Sequence, residues 1–263
     1  MPEFAEVEYF RKQWDPGLGK TVLRIAWHPQ VRIFRGIEPK TFVRTLTGAR
    51  LISSGAHGKQ MFFRLDRAGL GIHLGMTGRL FTAGPDFSPG RHDHLVMFQK
   101  THALVFSDFR LFGRVLFHPG PDEPAWWSER PPDILSPQFT RTAVADFLAR
   151  RKGTPVKTVL LMQERFPGVG NWMADEILWR ARIAPTRRCG TLSEQIVNIL
   201  WKETREVCRQ ALRIIGKNFA DPPDSWLFPH RWEKGGTCPR CGLELRREPI
   251  GGRTTSWCPH CQS

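Results

Sequence analysis

Cys238, Cys241, Cys258 and Cys261 are the residues of this chain whose type and spacing define a chemistry by themselves. Each pair is C-x2-C, and residues 242–257 separate the pairs. A C-x2-C on a tight turn aims two sulfurs at one centre. Two such pairs supply the four soft ligands of a tetrahedral zinc. Two disulfides would use the same four thiols, but the spacing fits zinc better. With all four places taken by sulfur, no reactive water can bind, so a metal held this way is structural. Residues 243–257 have the length of a β-hairpin, with Gly251-Gly252 at its turn. The unit is expected to be a zinc ribbon with its tip at 250–255, and the reacting groups have to lie elsewhere.

The opening Met1-Pro2-Glu3 offers such groups. Trimming of Met1 ahead of the small Pro2 would leave a secondary amine. An ordinary α-amino group titrates at about 7.7–8.0, so on the order of a tenth is neutral at pH 7. A neutral amine attacks an electrophilic sugar carbon, and the resulting iminium keeps its charge and acts as an electron sink. Glu3 beside it could donate a proton. Taken alone, the three letters also read as an ordinary chain start.

The elements that must position these groups follow from length and pattern. The chain has 263 residues, 40% of them hydrophobic, and a net charge of +14. Its isoelectric point is about 10.2. So basic a balance favours a polyanionic partner, most often nucleic acid. The start carries acidic residues and no apolar run, unlike a signal or transit peptide. No stretch of about 18 apolar residues suggests a membrane span. Cys189 and Cys208 lack partner spacing and read as ordinary thiols. A reducing compartment is therefore expected, the cytoplasm or, in a bacterium, its nucleoid. Phe4, Val7, Phe10 and Trp14 set a helix over 3–14. Strands are expected over 21–34 with a break at 27–29, then a short helix from Pro39. A hairpin follows over 50–65, turning at 55–58 with Lys59 just past the turn. Further strands are expected over 69–82, 92–99 and 103–117. Prolines crowd 119–138 around Trp126-Trp127, which reads as a linker. Helical periods follow near 140–150, 155–164, 171–182 and 193–215, and 216–236 is irregular. No internal repeat is apparent. The fold class is α+β, with domains 1–118 (β-rich), 119–138 (linker), 139–232 (helical) and 233–263 (ribbon).

In order along the chain stand MPExxEVE at the start, HLGMTGRL at 73–80, RHDH at 91–94, DFRLFG at 108–113, PGVGNWMADEIL at 167–178 and the cysteine ribbon. With these six motifs the chain resembles the formamidopyrimidine-DNA glycosylase and endonuclease VIII family of base-excision repair enzymes over nearly its whole length. The resemblance implies an N-terminal β-sandwich flanked by helices. After it come a C-terminal helical domain with a helix–two-turns–helix motif and a four-cysteine zinc ribbon holding one structural Zn2+. It implies a monomer that binds double-stranded DNA carrying damaged bases or abasic sites and flips the damaged nucleotide out. By that resemblance Pro2 attacks C1′, Glu3 assists ring opening, Lys59 assists β-elimination, and Arg253 binds the flanking phosphates and assists δ-elimination. Asn171 at a helix start, with His73, His92, Lys152 and Lys157, matches phosphate-side positions. Met76, Arg110 and Phe112 match the residues that fill the space left by the flipped base. Glu6 and Glu176 match polar positions near the site.

The chain departs from the family pattern in three places. Phe4-Ala5 replaces a usual Leu-Pro or Gly-Pro pair. Leu111 stands where oxidised-purine enzymes often have a second arginine. The connection 216–232 is short where those enzymes carry a loop over 8-oxoguanine. Arg110 and Phe112 lean toward the formamidopyrimidine branch. The alternative reading is a non-catalytic zinc-ribbon protein that binds damaged or bent DNA.

Overall fold

The computed structural model describes residues 2–263; Met1, whose trimming the reading of Pro2 requires, lies outside the described residues. The chain forms two compact units. One contains Pro2 and residues 6–130, the other residues 3–5 and 131–263.

The first unit begins with helix α1 (Phe4–Lys12), strand β1 (Arg24–Trp27) and helix α2 (Pro39–Leu46). Strands β2 (Leu51–His57), β3 (Gln60–Leu65), β4 (Ala68–His73), β5 (Arg79–Ala83), β6 (Asp93–Phe98), β7 (Ala103–Ser107) and β8 (Arg114–Pro119) follow. They make two four-stranded sheets, in the orders β1-β6-β7-β5 and β2-β3-β4-β8, with every pairing antiparallel. Alternation decides which side chains meet between them. Met61, Phe63 and Leu65 of β3 join Leu95 and Met97 of β6 and Leu104 and Phe106 of β7 in one core. Phe62 points to the other face, where it stacks on Trp127 at 5.1 Å. Trp127 lies on α3 (Ala125–Ser128), so the front part of the expected linker is packed structure belonging to this unit.

Three sequence expectations change here. Residues 32–34 form a 3-10 turn and not a strand, which sends Ile33 and Phe34 into the core. The first hairpin turns at Gly58-Lys59, because residues 55–57 stay paired with 60–62. Lys59 is thus in the turn itself. The runs 69–82 and 103–117 are each interrupted, at 74–78 and 108–113, and these two breaks are the loops that carry Met76 and Arg110.

The second unit holds α4 (Arg141–Ala149), α5 (Val156–Leu160), α6 (Asn171–Arg180) and α7 (Glu194–Asn218), then the hairpin β9 (Arg246–Ile250) and β10 (Arg253–Trp257). Helix α6 runs through its middle, buried from Trp172 to Trp179. Phe4 and Ala5 lie in the same core, which places residues 3–5 with this unit. Helix α7 extends three residues past its expected end, to Asn218. Cys189 and Cys208 are buried. Among the described residues no helix is long and apolar enough to cross a membrane.

Candidate active site and metal centre

The second unit presents Glu3 at the start of α6. Its carboxylate accepts the backbone N–H groups of Gly170 (2.9 Å), Trp172 (3.0 Å) and Met173 (3.1 Å). These are the donors a helix leaves unmet at its N-terminus, and the helix dipole favours a negative charge there. The side chain is 3% exposed. Gly170 makes the approach possible, since a Cβ at that position would fall inside the Glu3 carboxyl group. The backbone N–H of Phe4 donates to the Gly168 carbonyl at 3.1 Å and fixes the segment from its other side. Pro2, directly before Glu3, is half-buried.

Asn171 is the first residue of α6. Its Nδ2 donates to the Thr254 carbonyl at 2.7 Å, while its Oδ1 is buried without a partner. One helical turn on, the buried Asp175 accepts from Ser256 N at 3.2 Å and from Arg231 Nε at 3.0 Å. Residues 171 and 175 thereby hold alternate residues of β10, the strand that leads from Arg253. Arg253 is exposed at the ribbon tip, where the structure puts the end of the expected hairpin.

Lys157, expected on the phosphate side, lies in the interior. It is completely buried. Its Nζ donates to the Asn171 carbonyl at 2.7 Å and pairs with Asp175. Burial pushes its ammonium below the ordinary lysine range, against the pull of Asp175. A charge so enclosed holds α5 to α6. Lys152 is exposed and remains available. Glu176 is also interior. It takes Arg180 Nε at 2.7 Å and the Phe228 N–H at 3.2 Å, and burial raises its carboxyl above the usual range. Glu6 is half-buried on α1.

In the first unit Lys59 and His73 lie together, because Gln60 pairs with His73 across the sheet. His73 Nδ1 accepts the Gly75 N–H at 3.0 Å. Its imidazole is held below the ordinary range, mainly by burial and then by the Lys59 charge. His92 is half-buried, its ring edge-on to Phe109 at 5.1 Å.

Met76, Arg110 and Phe112 come from the two interrupted strand runs, and all three are exposed. The loops are built as one piece. The buried Asp108 accepts from Thr77 Oγ1 (2.7 Å), Gly113 N (2.7 Å) and Arg110 N (3.2 Å). Gly75 has φ +62, and a Cβ there would collide with the Phe112 carbonyl. Leu111 adopts φ 57, a left-handed conformation that costs a non-glycine residue roughly 1–2 kcal/mol. Its half-buried side chain packs on the core, which turns its neighbours Arg110 and Phe112 outward. Arg110 lies over the Phe112 ring at 4.7 Å. The sequence alone does not mark Asp108 and Thr77 as partners. Their signal was present in the DF and TG of the two motifs, but nothing local says that they bond to each other.

The four ribbon cysteines place their sulfurs within 4.8 Å of one another. Cys241 and Cys258 are 3.6 Å apart and Cys238 and Cys261 are 4.0 Å apart. A disulfide needs about 2.05 Å. A tetrahedral zinc with ~2.3 Å bonds has sulfur–sulfur edges of ~3.8 Å, so the donor set fits one structural zinc. Trp179 Nε1 donates to Cys238 Sγ at 3.3 Å, a supporting bond from α6.

Comparison with known proteins follows the same division. The model of the formamidopyrimidine-DNA glycosylase N-terminal domain matches residues 1–115. That of the formamidopyrimidine-DNA glycosylase H2TH domain matches 131–221, and that of the zinc finger found in FPG and IleRS matches 235–263. The formamidopyrimidine-DNA glycosylase of Exiguobacterium sibiricum is 31% identical, covering 100% of this chain and 99% of the relative. That of Chloroflexus aurantiacus is 32% identical, covering 100% and 98%. Among solved structures, wild-type Lactococcus lactis Fpg in complex with DNA containing an oxidised pyrimidine is similar with a TM-score of 0.88. It is 26% identical, with 99% of each chain covered. A complex of the LlFpg protein with THF-DNA and an inhibitor gives 0.88 at 25% identity, with 100% of each chain covered. Full-length identity above thirty per cent and three matching domains, on a fold with the same two units and ribbon, show that the chain belongs to the formamidopyrimidine-DNA glycosylase family.

Proposed function

We propose that the protein is a bifunctional DNA glycosylase and abasic-site lyase of base-excision repair, acting on oxidised bases of the formamidopyrimidine type in double-stranded DNA. The observation that carries this reading is the Glu3 carboxylate seated on the N-terminus of α6, one residue after Pro2. A chain that merely binds bent DNA has no use for a buried acid fixed beside a potential secondary amine. We assign residues 1–118 as the catalytic domain, 139–232 as the helical DNA-binding domain and 233–263 as the ribbon, with 119–138 joining the first two. The setting is the cytoplasm, or the nucleoid of a bacterium.

The Pro2 nitrogen attacks C1′, the C1′–N bond to the base breaks, and the electron pair leaves with the base. Opening of the sugar C1′–O4′ bond gives the iminium; the proton that the Pro2 nitrogen sheds after attack is the one O4′ needs, and Glu3 is given the role of passing it from one to the other. Loss of a C2′ proton then expels the 3′-phosphate, and a second elimination expels the 5′-phosphate. Lys59 is assigned to the first of these steps, with His73 near it on the phosphate side. Arg253, exposed on the ribbon tip, is assigned to the second. The zinc supplies no chemistry; it folds the hairpin that carries Arg253.

The test uses protein with Met1 removed and duplexes carrying single lesions or an abasic site. Borohydride should trap a covalent adduct, and mass spectrometry should place the link on Pro2. An uncleaved N-terminal tag makes that nitrogen an amide and should abolish trapping. A link on Lys59 would move the nucleophile. No adduct from trimmed, zinc-loaded protein on any lesion would favour a non-catalytic binder.

A further inference from the structure

Arg32 is exposed and belongs to no motif noted in the sequence, yet it is built into the loop 108–113. It opens the 3-10 turn Arg32–Phe34, and the two residues after it, Ile33 and Phe34, are buried in the core of the first unit. Its backbone is therefore anchored. Its side chain reaches across to the loop. Nε donates to the Leu111 carbonyl at 2.6 Å, and Nη2 makes a longer bond to the Arg110 carbonyl at 3.4 Å. The guanidinium carbon lies 4.9 Å from the centre of the Phe112 ring. One planar fork thus holds the carbonyl of the left-handed residue and covers the ring of the next, a combination that lysine cannot reproduce.

The loop's other restraints come from inside. Asp108 gathers its N–H groups from the core side, and Gly75 and Thr77 abut it from the neighbouring loop. Arg110 also lies over Phe112, but Arg110 is part of the loop and moves with it. Arg32 is a restraint on the exposed side that comes from a separate anchor. We infer that Arg32 is a positioning residue that presets Phe112 and Arg110 in the shape needed to occupy the space vacated by a flipped nucleotide. This rests on the reading of Met76, Arg110 and Phe112 as the residues that fill that space. A loop already in place need not be ordered when DNA binds, so the cost of inserting it falls.

The experiment compares Arg32→Lys and Arg32→Gln with the wild type. The substrates are an abasic strand in duplexes with each of the four bases opposite the site, and the same strand alone. Neither variant should shift the thermal midpoint appreciably, because the side chain is exposed. On duplexes both should lose about tenfold in kcat/KM, mainly through kcat, and flatten the dependence on the opposite base. On the single strand, where there is no stack to fill, both should stay within about twofold of the wild type. Full recovery in Arg32→Lys would make Arg32 a simple cation for phosphate and overturn the inference. So would equal loss on duplex and single strand. A wild type that shows neither duplex preference nor opposite-base dependence would remove the space-filling reading, and this inference with it. Variants that match a discriminating wild type would overturn the inference alone.

Discussion

At Glu3 one carboxylate closes the first turn of α6 and belongs to the residue that follows the proposed nucleophile in the chain. Glu3→Gln keeps the size but replaces one acceptor oxygen with an NH2 group facing N–H donors. It should lower stability by about 1–2 kcal/mol, read by thermal unfolding. It should slow release of a damaged base more than nicking at a preformed abasic site, where the glycosidic bond is already gone. Equal slowing of the two would leave Glu3 only its structural role. His73 makes a second prediction. Burial, and then Lys59, hold its folded pKa below the ordinary value of about 6.5. Below that value the unfolded chain binds a proton that the folded chain resists, so stability rises with pH in this window. His73 thus costs nothing above it and destabilises as pH falls through 6.5 toward the folded value. Denaturant midpoints between pH 8 and 5.5 should fall more steeply for the wild type than for His73→Gln. The reverse order would contradict the assigned direction.

Among the elements, the paired loops at 74–78 and 108–113 carry the clearest sequence cost. Gly75→Ala must adopt φ +62 and place a methyl against the Phe112 carbonyl. It should destabilise by about 1–3 kcal/mol and weaken binding to an abasic duplex more than to a single strand. Unchanged binding and midpoint would mean that the loops are not one unit. These loops also mark where sequence reading stops. The alternation of Leu70, Ile72 and Leu74 runs into Leu80, so 69–82 reads as one strand. What breaks it is a contact to residues more than thirty positions away, which no local pattern reports. The same limit explains Lys157. Its position on α5 is visible in the sequence, but its partners Asp175 and Asn171 come from α6. By contrast the ribbon, the α1 helix and α6 were legible, because spacing, apolar period and the glycines at 168 and 170 are local signals. Gly55 resembles a turn glycine but is paired with Phe62, so the local pattern sets Lys59 just past the turn while the structure has it in the turn.

For the whole molecule, metal removal is the widest perturbation. So small a hairpin draws its folding free energy from zinc, on the order of 10 kcal/mol. Chelation should unfold it, displace Arg253 and abolish binding to abasic DNA; metal-free protein that nicks at the normal rate would refute the role of Arg253. The same treatment exposes a property of the thiols. The chain has six cysteines, four committed to the ribbon and two, Cys189 and Cys208, enclosed in the core of the second unit. Burial pushes Cys189 up to about 11 and Cys208 well above its usual range, so both stay protonated and covered. The thiolate is the form that attacks peroxide and thiol reagents. Zinc-loaded protein should therefore show no fast-reacting thiol in a colorimetric titration, and chelated protein should show the four of the ribbon. Fast reaction at Cys189 in the loaded protein would contradict the burial. Among the thiols Cys241 and Cys261 of the ribbon are the less enclosed, so slow oxidation of cysteine would register as lost metal before it registered as a modified core.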